Sequence, residues 1–203
     1  MEKYTKLADN SSIEKTIKAL KENNIEVFIS NNSDETRKQV LKLIPERSEV
    51  MTMTSATLDA TGLSTEINES GKFDSVRKKL NSMDRKTQGR EMNHLGASPK
   101  FAIGSVHAVT EDGHILIASA TGSQLPAYVY SAENVIFVVG INKIVKNTDE
   151  GIKRIYKHSF PLENERAMKA YGMNSMVGKI LILNKEFKPG RINLIFVKEK
   201  LGF

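Results

Sequence analysis

The stretch FAIGSVHAVTEDGHILIAS, residues 101–119, consists of three short apolar runs joined by a few polar residues. The runs at 101–103, 106–110 and 114–119 have the length and the β-branched content of strands. Glu111-Asp112-Gly113 stands between the last two runs, and an Asp-Gly pair permits the positive dihedral angles that a hairpin turn requires. The stretch therefore predicts strands that include an antiparallel hairpin.

Upstream of this stretch, helical and strand patterns alternate. Ser11-Ser12-Ile13-Glu14 is a capping-box sequence followed by apolar residues at helical spacing, which predicts a helix over about 11–23. Strands are predicted at 25–29 and 50–53, with a helix between them that begins at Ser33 and ends before Pro45. This order of elements is typical of a parallel sheet.

The segment after the second strand is predicted to be largely helical. One helix runs through 58–63, and Phe73, Val76 and Leu80 mark another amphipathic helix. The polar stretch over 82–95 has no clear period and fits either a helix or a long surface connection.

Downstream of the hairpin, strands and helices alternate again. The pattern predicts a strand at 135–139, helices at 148–158 and 161–171, and strands at 180–183 and 192–197. The chain is therefore expected to be α/β, with a mostly parallel sheet flanked by helices and an antiparallel hairpin inserted near 101–119. We expect a single domain over 1–203, with the N-terminal helix packed on it.

The composition excludes several classes of protein. With 39% hydrophobic and 27% charged residues, the chain resembles an ordinary globular domain. It has no apolar run long enough for a membrane helix and no secretory signal at its start, so we expect a cytoplasmic protein with no membrane partner. The absence of cysteine excludes disulfides, a thiol nucleophile and thiolate ligation of an iron–sulfur cluster.

The net charge of +6 does not by itself indicate nucleic acid. The lysines are spread through helical segments, where they alternate with Glu and Asn as on a solvated helix face. Aromatic residues are few and no nucleic-acid-binding motif is visible, so no nucleic-acid partner is expected. The four histidines show no close ligand pair, so neither a metal site nor a cofactor is predicted.

The candidate ligand-binding residues lie in loops at the predicted strand ends, where open α/β sheets bind ligands. The loop after the second strand contains Ser55 and Thr57, which could hold an anion or simply cap a helix. The loop with Gly122 is either a ligand loop or a connecting turn, and Lys143 meets either an anionic group or water. The full set of candidates is Ser55, Thr57, Gly104, Ser105, Ser119, Thr121, Gly122, Ser123, Gln124, Asn142 and Lys143.

Two residues of the hairpin are candidates for catalysis. His107 could transfer protons, and Glu111 could act as a base, although a histidine on a strand is more often a packed or surface residue and a carboxylate in a Glu-Asp-Gly turn is more often solvated. We expect Thr57, Ser105, Glu111 and Gly122 to line one cleft. The run from Met173 to Met176 is either a loop that covers this cleft or a surface connection.

The central part of the chain resembles the LUD (lactate-utilisation) domain family. The resemblance rests on GSVHAVTEDGHILIASATGSQLPA at 104–127 and ENVIFVVGINKIVKNTDEGIKRI at 133–155, with TLDATGL at 57–63 and VKEKLGF at 197–203. Family members often carry two glycines where Met53 and Thr54 stand, and an Asn-Arg pair where Ser123 and Gln124 stand. Gln124 can hydrogen-bond a ligand but brings no charge.

The resemblance implies a fold similar to that of sugar-phosphate isomerases, formyltetrahydrofolate cyclo-ligase and CoA-transferases. It also implies a role in lactate or carboxylate utilisation, with a small-molecule carboxylate or phosphate-containing ligand. An alternative is a CoA-transferase-like or isomerase-like enzyme that uses Glu111, as a nucleophile in the first case. A third reading is a structural subunit of a lactate-oxidation complex, and the sequence leaves open a homo-oligomer or iron–sulfur partner proteins.

Overall fold

The computed structural model describes residues 2–203, which form ten strands and eight α-helices. The strands are β1 Glu26–Ser30, β2 Glu49–Thr52, β3 Asp74–Ser75, β4 Phe101–Gly104, β5 Ala108–Thr110, β6 Ile115–Ser119, β7 Asn134–Gly140, β8 Ile144–Val145, β9 Lys179–Leu183 and β10 Ile192–Val197. The α-helices are α1 Asn10–Glu22, α2 Ser33–Leu43, α3 Ala56–Ala60, α4 Leu63–Glu69, α5 Val76–Ser82, α6 Arg85–Ala97, α7 Thr148–Arg154 and α8 Phe160–Tyr171.

The central sheet has six parallel strands in the order β1-β10-β7-β4-β2-β3. Side chains of β7 alternate between its two faces: Val135, Phe137 and Val139 enter one apolar core, and Ile136 and Val138 enter another. A strand that is apolar on both faces needs cover on both. The prediction of a mostly parallel sheet flanked by helices is therefore confirmed.

The hairpin is present but belongs to a second sheet. Strands β5 and β6 pair antiparallel, and Gly113 adopts φ +84° in the turn between them. They form a four-stranded sheet in the order β8-β5-β6-β9, whereas residues 101–104 form a strand of the central sheet. The predicted antiparallel hairpin is confirmed, but it does not lie in the central sheet, because the chain leaves that sheet after Gly104.

Several predicted helices differ in their ends. The N-cap of α1 is Asp9, whose carboxylate accepts a hydrogen bond from the Ser12 amide, so Ser11 lies inside the helix. Gly62 at φ +73° separates α3 from α4. The stretch at 82–95, for which two readings were open, lies largely within α6. The two helices predicted at 148–158 and 161–171 are joined by a π-helical turn at Ile155–Ser159.

Helix α1 rests on the turn of the hairpin. The Asn23 side-chain amide donates to the Gly113 carbonyl at 3.2 Å, and the Ser12 hydroxyl donates to Glu111 at 2.7 Å. A Cβ on Gly113 would lie 2.7 Å from the carbonyl carbon of Ala19, closer than such atoms approach. The turn thus needs glycine for both its dihedral angle and its contact with α1.

None of the helices within residues 2–203 combines the length and the apolar character that crossing a bilayer requires.

A comparison of two glycines tests the contact between the hairpin turn and α1. Gly190 has φ +79° and open space around its missing Cβ, so Gly190→Ala should cost only the left-handed backbone penalty of about 1–2 kcal/mol. Gly113→Ala should cost about 1–3 kcal/mol more, because the methyl group meets the α1 backbone. Urea unfolding measures both, and equal losses would contradict the close packing.

Candidate functional site

A cavity of about 940 Å³ lies at the carboxyl edge of the central sheet. Its floor is formed where β2, β4 and β7 end, at Met53-Thr54, Ser105 and Lys143. Strand β6 and the loop after it contribute one wall, and α5, α6 and α8 contribute the others. Ligands of open α/β sheets bind at this edge because the loops there converge.

Lys143 is the buried charged residue at the floor of this cavity. It follows β7 in a short 3₁₀ turn and is 2% exposed. Its Nζ donates to Ser105 Oγ at 3.0 Å, to Thr57 Oγ1 at 3.1 Å and to the Val106 carbonyl at 3.1 Å. The link from β4 to β5 and helix α3 therefore meet at this one amine. The open reading in which Lys143 faces water is thereby excluded.

Electrostatics disfavour the charged form of Lys143. Burial holds its pKa well below the usual range, and the positive charge of Arg154 lowers the pKa further. No Asp or Glu within residues 2–203 forms an ion pair with either of these two cations. When Lys143 is protonated, the floor of the cavity therefore has an uncompensated positive charge. When Lys143 is neutral, the floor has an uncharged amine.

Arg154 is fully buried close to this cluster. One of its terminal nitrogens, Nη1, donates to the His107 carbonyl and to the Ser159 hydroxyl. Its Nε and Nη2 have no hydrogen-bond partner among the described residues. Burial lowers the pKa of Arg154 to about 10, so the guanidinium remains charged at neutral pH.

His107 lines the cavity beside Lys143 but is held in its neutral form. Its Nδ1 accepts a hydrogen bond from the Ala118 amide at 3.0 Å. Burial, together with the charges of Lys143 and Arg154, lowers the pKa of His107 to about 3. The predicted role in proton transfer near neutral pH is therefore not supported by this environment.

The loop after β6 closes on itself through Ser119. The Ser119 hydroxyl donates to Gln124 Oε1 at 2.9 Å and accepts from the Gly122 amide at 2.8 Å. Gln124 therefore fixes the loop through its carbonyl oxygen and keeps its amide nitrogen available. The loop lines the cavity, with Thr121 and Ser123 exposed at its tip.

Residues 201–203 pass close to Lys143. The Leu201 amide donates to Asn142 Oδ1 at 3.1 Å, which holds this segment against the 3₁₀ turn. Gly202 has φ +60°, and a Cβ there would lie 2.4 Å from Thr57 Oγ1 and 3.1 Å from Lys143 Nζ. Glycine at this position lets the backbone approach the cluster closely.

The outer part of the cavity is basic. Arg77 donates two hydrogen bonds to the Thr52 carbonyl, at 3.1 and 2.8 Å, and Arg85 is exposed. Arg166 forms two 2.7 Å hydrogen bonds with Glu163, the one acidic side chain among the described residues that line the cavity. This distribution of charge favours anionic ligands.

Most of the predicted site residues meet at this cavity. Lining it are Ser55, Thr57, Ser105, His107, Ser119, Thr121, Gly122, Ser123, Gln124 and Lys143. Ser55 is also the N-cap of α3, so the alternative interpretation of this residue as a helix cap holds as well. Met176, in the run for which a covering loop was one reading, is exposed and lines the cavity as well.

Three predicted residues lie elsewhere. Gly104 packs beneath Tyr128, whose hydroxyl occupies the space that a side chain at 104 would need. Asn142 is buried against Leu201. Glu111 bonds to Ser12 and Lys15 of α1 and does not line the cavity, so the expectation that it shares one cleft with Thr57, Ser105 and Gly122 was wrong.

Two arginines of this region were not predicted from the sequence. Arg154 stands in the last turn of α7, where a basic residue usually faces solvent and complements the helix dipole. Arg77 stands in the first turn of α5, beside other basic residues. Nothing in the local pattern distinguishes either one from a surface residue.

Residues 2–203 contain no group of three His, Asp or Glu side chains placed to hold a metal ion.

The depressed pKa of His107 predicts a specific pH dependence of stability. His107 is neutral when folded down to about pH 3, whereas in the unfolded chain it takes up a proton near 6.5. Stability should therefore fall as pH falls from 6.5 towards 3, by about 1.4 kcal/mol per pH unit from this residue. His107→Asn keeps an acceptor for the Ala118 amide and removes the proton site. Urea unfolding between about pH 7.5 and 5 should show a smaller loss for the variant, and parallel losses would contradict the assignment.

The position of Glu111 predicts a modest structural role. Its carboxylate is 21% exposed, and Ser12 and Lys15 hold its pKa below the usual value. Glu111→Gln should lower the free energy of unfolding by no more than about 1 kcal/mol. It should leave ligand affinity in the cavity unchanged, which thermal shift with and without ligand measures. Loss of affinity with an intact fold would place Glu111 in the site.

Comparison with known proteins agrees with this architecture. The family model of the LUD domain matches residues 13–197. The fold is similar to that in the crystal structure of a DUF162 family protein from Deinococcus radiodurans, with a TM-score of 0.58, 12% identity, and coverage of 95% of this chain and 99% of that one. The structure of eIF2B beta from Chaetomium thermophilum aligns with a TM-score of 0.31, too low to indicate a shared fold, at 14% identity over 69% of this chain and 43% of that one. No curated protein sequence matches.

The family match spans nearly the whole chain and includes β4, β7 and the loops that surround Lys143. The resemblance inferred from residues 57–63, 104–127, 133–155 and 197–203 is thereby confirmed, and it places the protein in general terms among those related to lactate utilisation. The chain belongs to the LUD domain family.

Proposed function

We propose that this protein binds a small organic acid, or an activated derivative of one, in the cavity above Lys143 and serves lactate or related carboxylate utilisation. The observation that carries the proposal is the amine of Lys143, which is buried beside three uncharged oxygens and forms no ion pair with the described carboxylates. A buried cation without a counter-ion is costly, and an anionic ligand would supply the missing charge.

The cavity fits a ligand of this kind in size and polarity. Its volume of about 940 Å³ lies in the upper part of the range for small-molecule sites, so it exceeds what a three-carbon acid alone would fill. Methionines, Ile117 and Phe160 supply apolar wall, while hydroxyls surround the floor. A carboxyl group at the floor with a larger substituent towards the basic mouth would use both features.

Ligand binding and protonation should be coupled at Lys143. Burial and Arg154 disfavour the ammonium form in the free protein, whereas a carboxylate in contact with Nζ would favour it. Binding of a carboxylate should therefore draw a proton onto Lys143. Affinity should fall as pH rises through the interval between the free and the bound pKa values.

Calorimetry in buffers of different ionisation enthalpy tests this coupling. A ligand is first found by thermal shift with hydroxy acids, keto acids and sugar phosphates, since saturation at one hundred times Kd stabilises a protein by about 2.7 kcal/mol. Titrations from about pH 6 to about pH 10 should then show net proton uptake in the interval in which the free and bound pKa values of Lys143 differ. Binding without proton uptake at any pH in this range would contradict the role given to Lys143.

Two lysines in one segment provide a matched pair of variants. Lys143→Met removes the amine and keeps an unbranched side chain of similar length, so binding should weaken at least about tenfold to a hundredfold. Lys146→Met removes an exposed lysine three positions along and should leave binding unchanged. Equal affinities of the two variants would show that the ligand does not contact Lys143.

A further inference from the structure

Ser105 is the accessible member of the Lys143 cluster. Lys143, Thr57 and Val106 are each no more than 2% exposed, whereas Ser105 is partly exposed and lines the cavity. A ligand that enters the cavity can therefore reach the Ser105 hydroxyl, with Lys143 behind it at 3.0 Å. Reactivity at this site should appear on the serine oxygen.

The contacts of Lys143 suit a proton acceptor. A neutral amine can donate two hydrogen bonds, to the Val106 carbonyl and to Thr57, and accept the third from the Ser105 hydroxyl through its lone pair. An ammonium group can donate to the same three oxygens. The three oxygens are thus positioned to satisfy both protonation states of Lys143 without rearrangement.

We propose that Ser105 and Lys143 form a nucleophile and base pair, in which an activated ester or thioester of a small organic acid transfers its acyl group to Ser105. This inference rests on the proposed binding of such a ligand in the cavity and adds a reaction to it. A serine hydroxyl is a weak nucleophile by itself and needs an adjacent base within hydrogen-bond distance.

The reaction balances with water as the second substrate. Ser105 Oγ attacks the carbonyl carbon while its proton passes to Lys143 Nζ, and the bond from carbon to the leaving oxygen or sulfur breaks. The leaving group takes the proton from the ammonium, which leaves an acyl ester on Ser105. Water then attacks this ester and gives its proton to Lys143, after which Ser105 Oγ departs, regains that proton and releases the acid.

Arg154 acts as a positioning residue for the base. The titratable groups that influence Lys143 or are influenced by it are Arg154 of α7, His107 before β5 and His158 of the π-helical turn. The pKa values of the two histidines are lowered to about 3 and about 4, so both are neutral between about pH 6 and 9. Neither histidine therefore contributes an inflection of rate in that range, and the shift of the inflection in the Arg154 variants assigns it to Lys143.

Labelling of the wild-type protein with diisopropyl fluorophosphate tests the nucleophile without any substitution. Ser105 Oγ should displace fluoride, and peptide mass spectrometry should locate the phosphoryl group on Ser105. Ser105→Ala should not be labelled, whereas Ser64→Ala, at another partly exposed serine that does not line the cavity, should be labelled at the wild-type rate. Absence of an adduct on Ser105 in the folded wild-type protein would overturn the proposal.

The base is tested by the rate and its pH profile. Lys143→Met should slow labelling about 100-fold or more, the usual contribution of general base catalysis, and an unchanged rate would overturn the role of Lys143. The wild-type rate should rise with pH to a plateau. Arg154→Met should move the inflection to higher pH, because the nearby charge is lost, and Arg154→Lys should return it towards the wild-type position. An inflection that both variants leave in place would overturn the positioning role.

Acyl transfer is measured with 4-nitrophenyl acetate on the same preparations. The acetyl group should be found on Ser105, with release of 4-nitrophenolate, and acetylation of Lys143 instead would overturn the assignment of nucleophile and base. The carboxylate thermal shift separates the two proposals. If carboxylates stabilise the protein and Ser105 forms no adduct, the binding function stands and the acyl transfer fails; if neither occurs, both fail.

Discussion

A lysine amine buried without a counter-ion is the constraint around which the site is organised. Taking a charged amine out of water costs several kcal/mol unless other groups replace the lost hydration. Here Thr57, Ser105 and the Val106 carbonyl do so in part, and Arg154 works against them by adding a second positive charge. These interactions therefore favour either the binding of an anion next to Lys143 or the loss of a proton from its amine.

The fold brings these groups together by joining two sheets at one point. Strand β4 of the central sheet ends at Gly104. The chain then continues through Ser105 and Val106 into β5 of the second sheet. Strand β7 ends beside it and continues through Lys143 into β8, which pairs with β5. The amine thus lies where both strands cross from one sheet to the other. Its hydrogen bonds to Ser105 and Val106 join the link between β7 and β8 to the link between β4 and β5.

The strands and the turn that surround this site were predicted from the sequence, whereas the contacts of its charged residues were not. Apolar runs and turn residues located β4, β7 and the hairpin, because burial and backbone geometry are expressed locally along the chain. The division into two sheets and the burial of Lys143 depend on contacts between distant segments, and INKIV alone gives no sign of them. Arg154 looks like an ordinary residue at a helix end. Glu111 was considered for catalysis because a glutamate in an enclosed site can act as a base or a nucleophile, and the local sequence does not show whether the turn is enclosed. Its partners on α1 are about a hundred positions away.

The ionisation of Lys143 in the free protein is the central quantity, since both the proposed binding and the proposed reaction follow from it. It can be measured directly by NMR, as the titration of the Lys143 side-chain resonances assigned by comparison with Lys143→Met. We expect a midpoint well below the ordinary lysine value of about 10.4, and a rise of that midpoint when Arg154 is replaced by Met. A midpoint at the ordinary value would show that burial and Arg154 do not perturb Lys143, and would contradict the roles proposed for it.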